Sequence, residues 1–570
     1  MKRTACMVAL VAAGCVPWPR VGSIDLPVQE QTTRRIQPRA LEISSRNPPQ
    51  SLEAGRRELE QRKPAASGEP PRVVREVKDQ LTSLTVAELR LAVLRNNLDL
   101  DVALYDPAIA GAKVGAEVGR FDVLIGSRFR YGEAELPRIN GPIVDFSSDD
   151  PLLDGQRAKL TEVEQRRRQL GLGLDLRLPL PTGGVVALDT LVDEKTITDP
   201  ARYEQYLAAT RFSLSQPLLR NAGSDAALAG IRIARTNERI SQVRTKLAAL
   251  RVLSRAEKSY WRLFAARRIL DVRAEQFRLA SENLSVVRRR VAEGITPQVE
   301  IARTEVGVYS RLEALVIAET AWRLQQRELK AFINSQRFPL RGGRMIDVAS
   351  PPRLAGLDLD RDELVRQALA TRLDLIELEL QIVRNGLSVA YAENQVLPIV
   401  NLDFHYGVAA RGSDAGQAWE AQWGFDHQDY GVGISLEIPL SNQRQTELRR
   451  GAILARSQRL ASRRARELMV RTEVLNGVDV IERNWQRIIA ARQNVVVAGV
   501  NYDAERRQFE QGLRTMREVL EALGDLGSAQ LREVRAIVEY QVAQIDLAFA
   551  SGTLLGYSRV DVDPLPIPRR

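Results

Sequence analysis

Cysteine is nearly missing from this 570-residue chain: Cys6 and Cys15, both close to the N-terminus, are the only two. The body of the chain therefore has no disulfide and no thiolate metal site. Histidine is equally scarce, with His405 and His427 alone. That excludes a histidine-rich metal centre, and no Ser-His-Asp grouping stands out. No cofactor is expected, and no catalytic constellation supports an enzyme. Aromatic residues make up 5%, which suits a helix-rich protein better than a large sandwich core. Beyond the N-terminus no apolar run reaches about 18 residues, so no spanning helix is expected. A dominant charge is lacking too, since 82 basic residues stand against 72 acidic ones, a net of +10. The two signs interleave, as in Arg255-Ala256-Glu257-Lys258. That pattern reads as a solvated helix surface and not a phosphate-tracking stripe, so nucleic acid is not an expected partner.

What is present begins with an export signal. Lys2 and Arg3 precede a short apolar core, Met7 to Ala13, too short to span. Ala12-Ala13-Gly14-Cys15 resembles a bacterial lipobox with Cys15 as the acylated residue; ordinary signal cleavage is the alternative. Residues 16–80 are rich in Pro, Arg, Glu and Gln with little apolar periodicity, the composition of a flexible leader.

From Leu81 onward the chain repeats itself. Ala87-Glu88-Leu89 with Asn97-Leu98-Asp99-Leu100 returns as Asp362-Glu363-Leu364 with Arg372-Leu373-Asp374-Leu375, a spacing of 275. Gln216-Pro217-Leu218 returns as Ile438-Pro439-Leu440 after 222 residues, and Glu293-Gly294-Ile295 as Gln511-Gly512-Leu513 after 218. An internal duplication follows, with about 53 extra residues in the first copy before its Pro-Leu element. Each copy reads as helix, strand pair, long helix, tip, long helix.

The strand readings rest on period-two alternation. Phe121, Val123, Ile125, Phe129 and Tyr131 share a face, as do Tyr206, Ala208, Thr210, Phe212 and Leu214. In the second copy Val400 to Val408 and Tyr430 to Ile438 alternate in the same way. The runs match the roughly 9–11 residues of a tilted bilayer-crossing strand; a half-buried soluble sheet gives the same alternation. The extra segment at 170–194 is itself a hairpin, with Leu170 to Leu178 alternating up to Pro181-Thr182-Gly183-Gly184. After Asn221-Ala222-Gly223, about seventy residues carry helical character, a rod of roughly 100 Å. Ile233, Ile240, Val243, Leu247, Leu250, Trp261 and Phe264 step along it by threes and fours, a thin coiled-coil seam that needs neighbours. The second copy behaves similarly from Gln445 to Glu510.

Lipid offers backbone groups no partners, so strands cross it only as a closed barrel. About four long strands do not close one, since the smallest have about eight. Membranous strands thus require several copies, and rods studded with Arg and Glu must project into water.

This layout resembles the TolC family of outer-membrane efflux proteins across about residues 81 to 560. Leu214-Ser215-Gln216-Pro217-Leu218-Leu219-Arg220-Asn221-Ala222-Gly223 is similar to the family's barrel-to-helix junction, and Ile438-Pro439-Leu440-Ser441-Asn442 to its second instance. Arg372-Leu373-Asp374-Leu375 resembles the Arg-Pro-Asp-Leu turn opening the second half, with Leu373 replacing proline. The resemblance implies a mixed α/β membrane protein: a trimeric outer-membrane β-barrel of twelve strands continued by a long antiparallel coiled-coil tunnel in the periplasm. It implies a first repeat over 81–335, an equatorial linker over 336–365, a second repeat over 366–560 and a tail over 561–570. The implied function is the passive duct of a tripartite efflux or type I secretion system. Its partners would be a homotrimer, a periplasmic adaptor (membrane fusion) protein, an inner-membrane pump and outer-membrane lipid. A non-pore coiled-coil periplasmic lipoprotein or an adaptor is the alternative, which the duplicated strand pairs disfavour.

The same resemblance assigns the tips. Carried over by position, Glu518 and Glu521 are acids of a periplasmic constricting ring, Arg514 is a latch and Glu300 its partner. Three carboxylates around a narrow axis attract cations, and an Arg–carboxylate pair holds helices together. Local structure competes, because Thr515-Met516-Arg517-Glu518 is also a capping box and Thr296-Pro297 an N-cap followed by proline. Gly294 and Gly512 serve tight helix reversals. Ile295 and Leu513 beside them are candidate adaptor-docking residues, or contacts that merely close the tips.

Overall fold

The computed structural model describes residues 81–139, 162–199, 201–341 and 344–554. The export signal, Cys15, the 16–80 leader and the 561–570 tail lie outside the described residues. Strand β1 (Leu81–Leu84) leads to helices α1 (Val86–Asn96) and α2 (Leu98–Val118), then to strands β2 (Leu124–Ile139), β3 (Glu162–Pro179), β4 (Val185–Asp199) and β5 (Ala201–Pro217). A short α3 (Gly223–Ala227) opens the rod α4 (Ala229–Ala292), which reverses into α5 (Val299–Ile333). After β6 (Met345–Val348) the second copy runs α6 (Arg361–Thr371), α7 (Leu373–Gln395), β7 (Ile399–Gly412), α8 (Ala415–Gln422), β8 (Gln428–Glu437), α9 (Gln443–Glu510) and α10 (Met516–Ala550).

The two rods have 64 and 68 residues, about 100 Å each. A thin apolar seam does not hold such helices alone, and each rod is lined by two shorter antiparallel helices. Helix α4 carries α5 towards the tip and α2 towards the sheet, while α9 carries α10 and α7 in the same way. The expected seam is the packed face: Ile240, Leu247, Leu250 and Trp261 are buried, and Ile233, Val243 and Phe264 are half-buried.

Three apolar clusters sit along the rods. One surrounds Tyr260, Leu263, Trp322 and Leu329 in the first copy. A second surrounds Val474, Ile481 and Tyr540 in the second copy, and a third lies near the tips around Val287, Phe509, Val519 and Leu523. At the first of these, β1 pairs in parallel with β6 through Leu81↔Met345 to Leu84↔Val348. The buried Gln326 amide holds β6 in place, donating to Ile346 O (2.6 Å) and accepting from Ile346 N (3.0 Å). Tyr260 donates to Leu84 O at 2.8 Å, tying β1 to α4.

The duplicated Asn97 and Arg372 mark equivalent breaks between helix pairs, each ending one helix and opening the next. Asn97 caps α2, its Oδ1 accepting from Leu100 N at 3.1 Å. Arg372 instead reaches Asp374 (2.8 Å), Glu473 and the carbonyl of Ala550 (3.2 Å) from a 5%-exposed side chain.

The main sheet is antiparallel, with strand order β2-β3-β4-β5-β7-β8. Among the described residues it has six strands, against the four per chain that a twelve-stranded trimer implies. The hairpin at 170–194 accounts for the difference: it is registered on both sides, from Leu124↔Arg177 on one flank to Val185↔Ser215 on the other. Strand β2 also starts later than the alternation suggested. Asp122 N donates to Gly119 O, closing a 3₁₀ turn over Gly119–Phe121. Phe121 and Val123 therefore precede the strand, leaving Ile125, Phe129 and Tyr131 to share its face.

Candidate functional site

The sheet register sorts its side chains into two faces, because neighbours directly opposite point the same way. One face carries Ile125, Phe129 and Tyr131 on β2, and Leu170, Leu172, Leu174 and Leu176 on β3. It continues with Leu188 opposite Phe212, and Leu214 opposite Phe404. It ends with Tyr406 opposite Tyr430 and Leu402 opposite Ile434. Ile125 is 79% exposed and Val432 72%, so a broad apolar surface faces out of the chain. The other face carries Arg128, Asp175, Asp189, Arg211, Asp403, His405 and Asp429, interleaved with glycines. Arg211 donates to Asp429 at 3.1 Å and Ser215 to Asp403 at 2.6 Å across the β5–β7–β8 strands. Glycines 126 and 431 leave room for Asp175 and His405 to lie over them.

At the sheet end away from the rods, α8 folds back over the apolar face. Its buried Ala418 and Gln422 rest on buried Ala208, Val408 and Ala410, and Gln422 Oε1 accepts from Thr210 Oγ1 at 3.1 Å. Trp419, Trp423 and Phe425 form an edge-to-face ladder beside it, with centroids 5.9 and 6.4 Å apart.

At the sheet end nearer the rods, the two copies are stitched through the junction motif. Asn221, with φ of 65°, receives a bond from Gln395 on its side chain (2.6 Å), and its own N donates to Asn394 (2.7 Å). Leu218 N donates to Val400 O at 2.7 Å. In the second instance Asn442 takes φ of 41° and donates to Val396 O at 2.6 Å. These contacts explain the motif: polar amides close the strand-to-rod turn where backbone pairing stops.

At the opposite end both rods reverse at glycine. Gly294 (φ 74°) and Gly512 (φ 79°) take the left-handed conformation that carries a steric penalty for other residues. Ile295 N donates back to Arg290 O and Leu513 N to Gln508 O, both at 2.9 Å, closing a Schellman-type end. Ile295 (63%) and Leu513 (71%) project into solvent.

Glu518 accepts from Thr515 N at 2.8 Å and from Arg514 Nη1 at 2.9 Å. These bonds, the Thr515 backbone bond foremost, hold its carboxyl below the usual glutamate range. Glu521 lies one turn on, exposed, without a charged partner among the described residues. Arg514 also reaches Gln508 (3.1 Å) and Glu505 (3.6 Å). Glu300 is instead paired with Arg303 at 2.6 Å. The acid and the latch proposed to meet each therefore have their own partner within the chain.

One tip residue escaped the sequence reading. Arg290 of α4 donates to Phe509 O (2.7 Å) and Glu510 O (2.9 Å) and stacks over the Phe509 ring at 4.8 Å. It satisfies the free carbonyls at the C-terminal end of α9, where a cation is favoured, and so fastens one tip to the other. Its only sequence signal was the run Arg288-Arg289-Arg290, indistinguishable from a solvated surface. Arg290→Ala is expected to release the α9 end by about 1–2 kcal/mol. Hydrogen exchange should then run roughly ten-fold faster at residues 511–515, with the sheet unaffected.

A family model described as outer membrane efflux protein matches residues 364–553. The pyoverdine export outer membrane protein OpmQ of Pseudomonas putida is 25% identical over 306 residues, which is 50% of this chain. The match spans 58% of that relative's length. Among solved structures, the CmeC outer membrane channel of Campylobacter jejuni superposes with a TM-score of 0.59 at 14% identity, covering 82% of this chain and 86% of its own. The outer membrane protein VceC of Vibrio cholerae superposes at 0.57 and 14%, covering 82% and 96%. Such distant structural likeness shows the fold. Residues 364–553 are thus similar to the outer membrane efflux proteins, and the described residues carry the fold of solved outer-membrane channels.

Proposed function

We propose that this chain is the outer-membrane duct of a tripartite export system, three copies closing one barrel over a shared helical tunnel in the periplasm. The observation that carries the proposal is the two-faced sheet joined directly to rods that suit only water. One apolar face spans all six strands, the opposite face is charged, and both edge strands lack partners among the described residues. In lipid such a sheet satisfies its edges only by closing. The ladder of Trp419, Trp423 and Phe425 supports the orientation, because aromatic side chains settle at the membrane–water interface. The printed role of OpmQ, pyoverdine export, makes a small exported molecule one cargo class for this duct. A non-pore tether has no use for such a sheet.

In this reading the tips form the periplasmic entrance, where Glu518 and Glu521 of three copies ring the axis. Arg514 braces the ring by holding Glu518, and opening breaks exposed pairs that cost little each. Glu300 belongs to the same entrance as a partner for Arg514 once its bond to Arg303 is exchanged. Ile295 and Leu513 are the apolar knobs that an adaptor's helices would cover, and the pump lies beyond that adaptor. Cys15 would add a lipid anchor.

The test is single-channel conductance of the purified oligomer in planar bilayers. Discrete cation-selective steps are expected, with selectivity falling towards unity in Glu518→Ala/Glu521→Ala. Arg514→Ala should raise the open fraction of a channel that otherwise rests closed. Silence in all three proteins, with no heat-resistant oligomer on a gel, would sink the proposal. The pH dependence follows from Glu518. Because its pKa is depressed, its charge and its contribution to the tip persist above the ordinary value of about 4.3. Both are lost as pH falls through the lower folded value. Cation selectivity is therefore expected to be unchanged between pH 7 and 5.

A further inference from the structure

The hairpin β3–β4 is built into the sheet and not laid on it. It inserts between β2 and β5, with continuous pairing from Leu124↔Arg177 to Ile139↔Glu162 on one side and from Val185↔Ser215 to Asp199↔Ala201 on the other. Its faces continue those of its neighbours. Leu172 and Leu174 are 56% and 51% exposed on the apolar side, while Gly171, Gly173, Asp175 and Asp189 fall on the polar side. Its turn is anchored as well. Gly183 takes φ of 89°, Thr182 Oγ1 donates to Gln216 Oε1 (2.9 Å), Gln216 Nε2 donates to Thr182 O (3.2 Å), and Gly223 N donates to Thr182 O (3.0 Å). The strand-to-rod junction thus grips the hairpin at the rim of the sheet.

We propose that the barrel of this channel has eighteen strands, six from each of three copies, with β2 of one copy pairing with β8 of the next. The proposal rests on the trimeric duct described above. An even number of strands per chain makes β2 and β8 run in opposite directions, so rotation about an axis closes the ring antiparallel throughout. Among the described residues both edges are unpaired, and they present exposed apolar side chains: Ile125 and Phe129 on β2, Val432 and Ile434 on β8. An open edge does not persist in lipid, and a second copy of this chain offers the complementary edge.

The consequence is a barrel broader than one of twelve strands. Barrel diameter grows nearly linearly with strand number. With strands about 4.8 Å apart and tilted by about 40°, eighteen strands enclose a backbone ring about 36 Å across, against about 24 Å for twelve. Among the described residues β2, β5, β7 and β8 of each chain connect to helices, while β3 and β4 meet at the rim through residues 180–184. The rods thus keep a twelve-helix girth beneath a vestibule lined by Arg128, Asp175, Asp189 and Arg211. Constriction is left to the tips.

The test is a cryo-electron microscopy map of the full chain purified from membranes into lipid nanodiscs, with native mass spectrometry for copy number. Three copies around eighteen strands is the expected result. Three copies around twelve strands, with residues 162–199 outside the barrel wall, overturns this inference and leaves the duct standing. Any other copy number overturns the trimer beneath it. Two cysteine pairs give an independent readout in membranes: Ser127→Cys/Leu174→Cys across β2–β3 and Thr190→Cys/Thr210→Cys across β4–β5, each directly opposite in register. Both should form disulfides in the assembled channel, and failure of both rejects the inserted hairpin.

Discussion

Leu214→Arg is expected to abolish assembly in the membrane, whereas Ser213→Arg, one residue earlier, is expected to leave it intact. The two positions differ in little except the face they occupy. Leu214 lies in an inner strand, opposite Val186 on one side and Phe404 on the other, within the apolar surface. Ser213 lies opposite Ala187 and His405 on the polar side. Arginine on a barrel's lipid face costs about 2–4 kcal/mol at the midplane and about 0–1 kcal/mol near the interfaces; Leu214, three residues inside the strand end at Pro217, lies between the two, and the cost recurs in each copy of a trimer. Arginine facing a water-filled lumen meets no such penalty and joins Arg211 on a face already charged. The measurement is the heat-resistant oligomer recovered from membranes for each variant. Equal loss in both would mean that the faces are misassigned and the sheet is an ordinary soluble one.

Arg372→Ala is expected to destabilise the second helical repeat by about 3–5 kcal/mol, the cost of orphaning buried charge. Asn97→Ala, at the duplicated position, should cost nearer 1 kcal/mol. The contrast comes from what each side chain holds. Asn97 makes two neutral bonds, to Leu100 N and Phe332 O, each 3.1 Å. Arg372 binds Asp374, Glu473 and Ala550 O, and Arg466 closes the network on Asp374 at 2.6 Å. Burial pushes the Asp374 carboxyl up, but the bonds from Arg372 and Arg466 outweigh it and leave the pKa lowered. A depressed carboxyl contributes stability that is full above its unfolded value of about 3.9 and lost as pH falls through the folded one. Thermal unfolding of the wild type should therefore weaken with acid below about pH 4. In Arg372→Ala the midpoint should be lower at neutral pH, and the acid dependence shallower. A midpoint unmoved by the substitution would show that Arg466 alone neutralises the site.

Much of this architecture is legible in the sequence. The duplication stood in repeated short words, Asn97-Leu98-Asp99-Leu100 against Arg372-Leu373-Asp374-Leu375 and Gly294 against Gly512. The rods appeared in spacing by threes and fours, and the strand faces in spacing by twos. The capping box at Thr515 and the left-handed turns at both tips were likewise local matters, and the structure contains both. Periodicity and turn chemistry act over a few residues, so they survive in a linear reading.

Tertiary structure decided what depends on separation along the chain. Alternation identified the 170–194 hairpin, but only pairing with β2 and β5 placed it within the sheet and raised the strand count to six. Arg290 looked like one more surface charge until the fold brought it to the carbonyls of Phe509 and Glu510, some 220 residues on. Arg514 and Glu300 found partners close by, Glu518 and Arg303. The sequence by itself determined the elements, their faces and their repetition, because side-chain period and backbone preference are written locally. Strand order, the clasp between the tips and the buried Arg372 network arise when distant segments compete for the same backbone groups and charges, and packing alone settles that competition.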